Sequence, residues 1–157
     1  MRELFDKFER VGFDKKGLVL LDTCFVFSML TRNQKLLYGY DYALSSFTVD
    51  ELLHVSHRLH KMKVPLRRFL KSQSVVVVET PVHPGEWEKE RQFVDSVDKE
   101  ILKVIPDASD AVLLAVAIKT KSNLLTKDKH DIFTVEAENF LRKYGIHVYK
   151  EMKDLKR

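Results

Sequence analysis

The chain has 157 residues, 45% of them hydrophobic and 32% charged, with a formal net charge of +4; these values suit one domain with its own core. The single cysteine, Cys24, excludes an intrachain disulfide framework and favours a reducing, cytoplasmic setting. The charged amphipathic start is not a secretory signal, and no run is apolar enough to span a bilayer, so we expect no membrane contact.

The first half of the chain predicts two strands set among helices. Leu4, Phe5, Phe8 and Val11 recur at helical spacing, which predicts an amphipathic N-terminal helix. The predicted elements of this half are, in order, a helix over 4–11, a strand over 17–21, a helix over 24–37, a strand over 42–47, a helix from Thr48 and a short helix around 66–70.

The second half predicts three more strands. Val75 to Val78 form an unbroken β-branched run, which is typical of a buried strand. Gly145 lies where a glycine would end a helix. The predicted elements are a strand over 75–78, helices over 86–102 and 108–119, a strand over 124–126, a helix over 135–144, a strand over 146–149 and a frayed tail from Glu151.

Five strands that alternate with helices predict an α/β fold with a parallel sheet. Right-handed crossovers place helices on both faces of such a sheet, giving three α/β/α layers. We expect a helical extension over 1–16, the main domain over 17–150 and a basic C-terminal tail over 151–157. Ligands of such sheets bind at the edge where the strands end and the following helices begin.

Five acidic residues map to that edge: Asp22, Glu51, Asp107, Asp110 and Asp128. Most have an ordinary structural explanation, because carboxylates cap helix N-termini and favour turns. Glu51 would complete a capping box with a residue three positions before it, and Asp107 would cap the helix that contains Asp110. Asp22 differs, since apolar residues surround it and a partly buried carboxylate needs a partner or a cation.

Together, these carboxylates would repel one another at one edge of the sheet. A hard divalent cation, Mg²⁺ or Mn²⁺, relieves such repulsion because both ions prefer oxygen ligands. A cation held in this way activates water and neutralises charge on a phosphodiester. The residues therefore predict that these carboxylates form a binding site for a divalent metal ion.

Four segments resemble the motifs of the PIN-domain ribonucleases, a family that includes the toxins of toxin–antitoxin pairs. They are LVLLDT with Asp22, SSFTVDEL with Glu51, DAVLLAVA with Asp110 and LTKD with Asp128. The resemblance runs from about Leu18 to Tyr149. The extra N-terminal helix departs from the family, whose members usually begin almost directly with the first strand.

This resemblance implies a five-stranded parallel sheet in the order 3-2-1-4-5 and an endoribonuclease that holds one or two Mg²⁺ or Mn²⁺ ions. Asp22, Glu51, Asp110 and Asp128 would be the catalytic ligands, with either Asp107 or Asp131 as an additional acid. The residues expected to contact nucleic acid are Thr23, Thr126, Lys127 and Lys129.

Two other functions remain open from the sequence. The first is a catalytically silent PIN-fold module that binds RNA or a protein. The second is a receiver-like phosphoacceptor domain, which would need an acceptor aspartate after the third strand, where this chain has Glu79. The expected partners are RNA, an antitoxin-type protein and a second copy of the chain in a homodimer.

Overall fold

A computed structural model describes residues 1–128 and 134–155, which form eight α-helices and six strands. The helices are α1 (Arg2–Asp6), α2 (Thr23–Arg32), α3 (Ser46–Arg58), α4 (Lys63–Ser72), α5 (Trp87–Val97), α6 (Ile101–Val104), α7 (Ala108–Thr120) and α8 (Val135–Arg142). The strands are β1 (Arg10–Val11), β2 (Val19–Leu21), β3 (Tyr42–Ser45), β4 (Val76–Val78), β5 (Asn123–Leu125) and β6 (Val148–Tyr149). Short 3₁₀ helices cover His60–Met62 and Met152–Asp154.

All six strands are parallel and form one sheet in the order β1-β4-β3-β2-β5-β6. The five strands expected from the sequence appear as β2 to β6, and their order is the predicted 3-2-1-4-5. The α/β fold class is therefore confirmed. The central strand is β2, where Val19 lies opposite Tyr42 of β3 on one side and Asn123 of β5 on the other.

The side chains of the central strands alternate between two hydrophobic cores, one on each face of the sheet. Leu18 and Leu20 pack into the core beneath α5, α7 and α8, while Val19 and Leu21 pack into the core beneath α2, α3 and α4. This alternation follows from the period of two in a β-strand, and it explains why the central strands are largely apolar on both faces.

Helix α7 is the most deeply buried helix. Every residue from Ala111 to Ala117 is buried, and five small or β-branched residues among them let α7 pack closely against α5 and the sheet. A helix with apolar residues around its whole circumference is a core helix. Its first turn is polar and lies at the edge where the strands end, and its last turn carries the exposed Lys119.

The N-terminal region differs from the predicted helix over 4–11. Helix α1 ends at Asp6, and the chain then forms β1, which extends the sheet by one strand beyond the five expected. The Val77 amide donates to the Glu9 carbonyl at 2.8 Å, and the Glu79 amide donates to the Val11 carbonyl at 2.9 Å. Pairing with the otherwise open edge of β4 satisfies backbone groups that a helix would have satisfied internally.

Other differences concern where elements end. The predicted helix over 86–102 is divided into α5 and α6, and the helix predicted over 24–37 ends at Arg32, followed by Asn33 in the left-handed region. The tail was expected to fray from Glu151, but Met152 and Leu155 are buried in the core beneath α2. Among the described residues, no helix is long and apolar enough to cross a membrane.

Candidate active site

Asp22 lies at the carboxyl end of β2 and caps the N-terminus of α2. Its Oδ1 accepts from the Thr23 amide at 2.7 Å, and its Oδ2 accepts from Thr126 Oγ1 at 2.7 Å and from Cys24 Sγ at 3.1 Å. Burial raises the pKa of Asp22, the three hydrogen bonds act against that rise, and the nearby charge of Asp128 adds to it. The carboxylate is thus fixed in one orientation at a site that disfavours its charge.

Glu51 lies on α3, the helix that follows β3. Because β3 is the neighbour of β2 in the sheet, the Glu51 side chain reaches the same end of the sheet as Asp22. Thr23 Oγ1 donates to Glu51 Oε1 at 2.9 Å, so Thr23 contacts Asp22 through its amide and Glu51 through its hydroxyl. Burial raises the pKa of Glu51 to about 7, and the charges of Asp22, Glu90 and Asp107 contribute to the rise. Glu51 is therefore close to the charges of three other acids.

Glu51 does not belong to the capping box predicted from the sequence. Helix α3 begins at Ser46, and its cap is Ser45, whose Oγ accepts from the Thr48 amide at 3.0 Å. The helix therefore starts two residues earlier than predicted, and Glu51 lies in its second turn. Without a role at the helix terminus, this buried carboxylate has no capping explanation.

Thr126 links the first and fourth predicted acids. Its hydroxyl donates to Asp22 Oδ2 and accepts from the Asp128 amide at 3.0 Å, immediately after β5. The Asp22 amide in turn donates to the Leu125 carbonyl at 3.0 Å. Because β2 and β5 are neighbours in the sheet, the ends of both strands bring Asp22 and Asp128 to one place.

Asp107 and Asp110 open α7 at the same edge. Asp107 Oδ1 accepts from the Asp110 amide at 3.1 Å, which confirms the predicted cap. Asp107 is exposed, whereas Asp110 is partly buried. The charge of Asp107 reaches Glu51, so the first turn of α7 borders the acid cluster formed by Asp22, Glu51 and Asp128.

The sequence analysis missed Glu90. This residue of α5 is fully buried, and its Oε1 accepts from Ser109 Oγ of α7 at 2.9 Å. Its Oε2 is buried without a hydrogen-bond partner among the residues that the structure describes. Glu90 lies in a charged, amphipathic segment, where a glutamate is ordinarily exposed, so only its position three residues before buried Phe93 could have indicated burial.

Cys24 is a hydrogen-bond donor to Asp22. Burial and the charge of Asp22 raise the pKa of its thiol to about 12, so it stays protonated and donates to the carboxylate. Its Sγ also lies 3.5 Å from Thr126 Oγ1. The thiol helps to hold Asp22, as a small donor inside the edge of the sheet.

The donor set fits a hard divalent cation. Partly buried carboxylates with raised pKa values repel one another, and an unpaired buried oxygen on Glu90 adds to the uncompensated polarity. Within residues 1–128 and 134–155, no three His, Cys, Asp or Glu side chains stand close enough to form a complete metal site by themselves. Mg²⁺ often binds through one or two carboxylates and retains several waters, so it does not require such a closed set.

The residues predicted to contact nucleic acid are mostly occupied inside the protein. Thr126 is fully buried, and Thr23 binds Glu51, so both hydroxyls hold acids rather than facing a ligand. Lys127 Nζ lies 2.7 Å from Glu151 Oε1 and stacks over the Phe25 ring. Lys129 and Asp131 lie outside the described residues.

Two of three comparisons with known proteins gave a match. The family model described as "PIN domain" matches residues 19–136. A chain of the VapBC2 structure from Rickettsia felis, solved with a DNA fragment from their promoter, is similar in fold with a TM-score of 0.57 and 14% identity, covering 84% of this chain and 97% of that one. No curated protein gives a significant match. Because the family model spans most of the chain and all four predicted motifs, this chain belongs to the PIN-domain family of nucleases.

Proposed function

We propose that this protein is a metal-dependent endoribonuclease that hydrolyses RNA phosphodiester bonds at the carboxyl edge of its sheet. One observation carries the proposal: Asp22, Glu51 and Asp128 come from three separate segments and are joined through Thr23 and Thr126. Thr23 donates its amide to Asp22 and its hydroxyl to Glu51, and the Thr126 hydroxyl donates to Asp22 and accepts from the Asp128 backbone amide. Such an arrangement is costly for stability, since each buried charge must be desolvated near others of the same sign. Function is the physical reason for retaining it.

Asp22, Glu51, Asp110 and Asp128 would hold the cation, with Asp107 as the additional acid at the first turn of α7. When bound, Mg²⁺ or Mn²⁺ would lower the pKa of a water and neutralise charge on the phosphodiester during in-line displacement. The chain's own part is to keep the oxygens in place. Asp22 is held by three hydrogen bonds, so its orientation is set before substrate arrives.

Glu51 has a second proposed role, because its carboxyl group gains and loses a proton near physiological pH. With a pKa of about 7, it is protonated in a large fraction of molecules at neutral pH. A cation that binds its carboxylate must displace that proton. Cleavage should therefore need more metal at pH 6 than at pH 8.

The test is cleavage of labelled single-stranded RNA with Mn²⁺ or with EDTA. The wild type is compared with Asp22→Asn and Asp110→Asn, and with Asp95→Asn as a matched control on an exposed part of α5. We expect cleavage by the wild type and the control with Mn²⁺ only. Cleavage that survives EDTA, or that both site variants retain, would exclude the metal mechanism. No cleavage by the wild type with Mn²⁺ would instead favour a catalytically silent fold that binds RNA or protein.

We also propose that the protein acts with partners. The likeness to a chain of VapBC2 supports an antitoxin-type protein partner, and a small open reading frame beside the coding gene would be its source. A homodimer is proposed as the second assembly. Light scattering of the purified protein, alone and after coexpression with that neighbour, measures both stoichiometries.

A further inference from the structure

Glu90 is a buried acid that local structure leaves unexplained. Its helix neighbours Phe93 and Val94 pack in the core beneath α5 and α7, and Glu90 itself has no exposed surface. One carboxylate oxygen is satisfied by Ser109. The other, Oε2, has no hydrogen-bond partner among the described residues. A buried acceptor left unsatisfied in this way costs about 1–3 kcal/mol, and more when it is charged.

Its position connects α5 to the proposed metal site. Ser109 stands between Asp107 and Asp110, so the Ser109–Glu90 hydrogen bond ties Glu90 to the first turn of α7. Glu90 also lies close enough to Glu51 for the two charges to interact. Its carboxyl group is thus among the acids of α3 and α7, although its own helix follows a different strand.

We propose that Glu90 is a further carboxylate of the proposed metal site, whose unpaired Oε2 receives the divalent cation or a water of its hydration shell. The inference rests on the proposed function, because it assigns a further residue to the same site. It accounts for the retention of an unsatisfied buried oxygen: the missing partner is the hydrated cation. Ser109 would be a positioning residue that holds Oε1 and leaves Oε2 available.

The experiment is Mn²⁺ binding, measured by isothermal titration calorimetry and by the Mn²⁺-dependent rise in melting temperature, with EDTA-treated protein as the metal-free reference. The key variant is Glu90→Gln, which keeps an oxygen to accept from Ser109 but removes the charge. The matched control is Glu88→Gln, on the exposed side of the same helix. Neither readout depends on catalysis.

We expect Glu90→Gln to weaken Mn²⁺ binding by about 10- to 100-fold, the range found when partners of metal ligands are removed. The same variant should melt at a higher temperature than the wild type without metal, because like-charge repulsion is relieved. If Glu90 had only a structural role, its substitution would not both weaken Mn²⁺ binding and raise the melting temperature of the metal-free protein. Glu88→Gln should leave both quantities unchanged.

Equal Mn²⁺ affinity of Glu90→Gln and a metal-binding wild type would overturn this inference and leave the proposed function standing. A wild type that binds no Mn²⁺ would overturn both. Should Glu90→Gln fail to fold, Ser109→Ala decides the matter, because it frees Oε1 without removing the charge. Weakened Mn²⁺ binding by Ser109→Ala supports the inference, and unchanged binding contradicts it.

Discussion

The starts of α2 and α7 are two versions of one local arrangement. Each begins with an aspartate whose Oδ1 accepts a backbone amide of the first turn, Asp22 from Thr23 and Asp107 from Asp110. At α7 the carboxylate is exposed and does little more than cap. At α2 the same group is partly buried, accepts two further side-chain donors and has a raised pKa.

Capping therefore does not by itself distinguish a residue of the candidate site from a structural one. A cap needs one hydrogen bond to a free amide, which both aspartates make. The two additional donors to Asp22 are the hydroxyl of Thr126, which is distant in sequence, and the thiol of Cys24, which is otherwise unreactive. They hold the carboxylate in one position, at a desolvation cost that capping alone would not require.

The largest expected effect is a difference in RNA cleavage between variants of Asp22 and of Asp107. Asp22→Asn should reduce Mn²⁺-dependent RNA cleavage by at least about 100-fold, because a ligand is lost rather than an outer partner. Asp107→Asn should reduce it far less, since Asp107 contributes from the exposed margin of the cluster. Initial rates at saturating RNA measure both variants. Equal losses would remove the distinction between the two helix starts.

The next effect tests the surplus donors on Asp22. Thr126→Val removes the hydroxyl that donates to Asp22 and accepts from the Asp128 amide. We expect Mn²⁺ affinity to fall by about 10-fold or more, as for other residues that orient metal ligands. Calorimetric titration gives the affinity. Thr31→Val, which removes an exposed hydroxyl bonded to the Phe27 carbonyl, is the control and should bind Mn²⁺ normally.

A third prediction concerns stability and pH in the absence of metal. The folded protein keeps the Glu51 proton up to about pH 7, whereas the unfolded chain releases it near the ordinary value of 4.5. Between these values the folded state binds more protons, so the free energy of unfolding falls as pH rises through this window, by at most roughly 3 kcal/mol from Glu51.

Urea unfolding in EDTA at pH 4.5, 6 and 7.5 measures this dependence. Glu51→Gln should flatten the fall, while Glu88→Gln should leave it as in the wild type. A steeper fall in Glu51→Gln would contradict the assigned pKa direction. Repeating the series with Mn²⁺ should restore stability at the higher pH values, because the cation binds the ionised form.

The smallest expected effect is on the cap of α7. Asp107→Ala should lower the free energy of unfolding by about 1 kcal/mol, the usual cost of losing an N-cap side chain. Asp107→Asn should be nearly neutral, because asparagine also caps well. Thermal and urea unfolding in EDTA give both values. A loss with asparagine equal to that with alanine would mean that the charge of Asp107, not its hydrogen bond, stabilises the helix.

Apolar patterning was enough to predict the strands, because strands buried on both faces are largely apolar. The α/β fold class followed from their alternation with helices, whereas the strand order came from the resemblance to PIN domains, which was confirmed over residues 19–136. The pattern failed at the N-terminus, where Leu4, Phe5, Phe8 and Val11 fit a helix. Only the unpaired edge of β4 could show that the chain changes from helix to strand there.

The sequence by itself determined the parallel α/β layers and the edge to which Asp22, Glu51, Asp110 and Asp128 belong, since both depend on periodicity and on where strands end. The partial burial of Asp22 was predicted from its apolar neighbours, but the burial of Glu90 and the groups that hold each acid depend on tertiary structure. Burial, charge repulsion and the Thr126 and Ser109 hydrogen bonds arise between segments distant along the chain. For that reason the burial of Glu90 could not be predicted without the packing of α5 against α7.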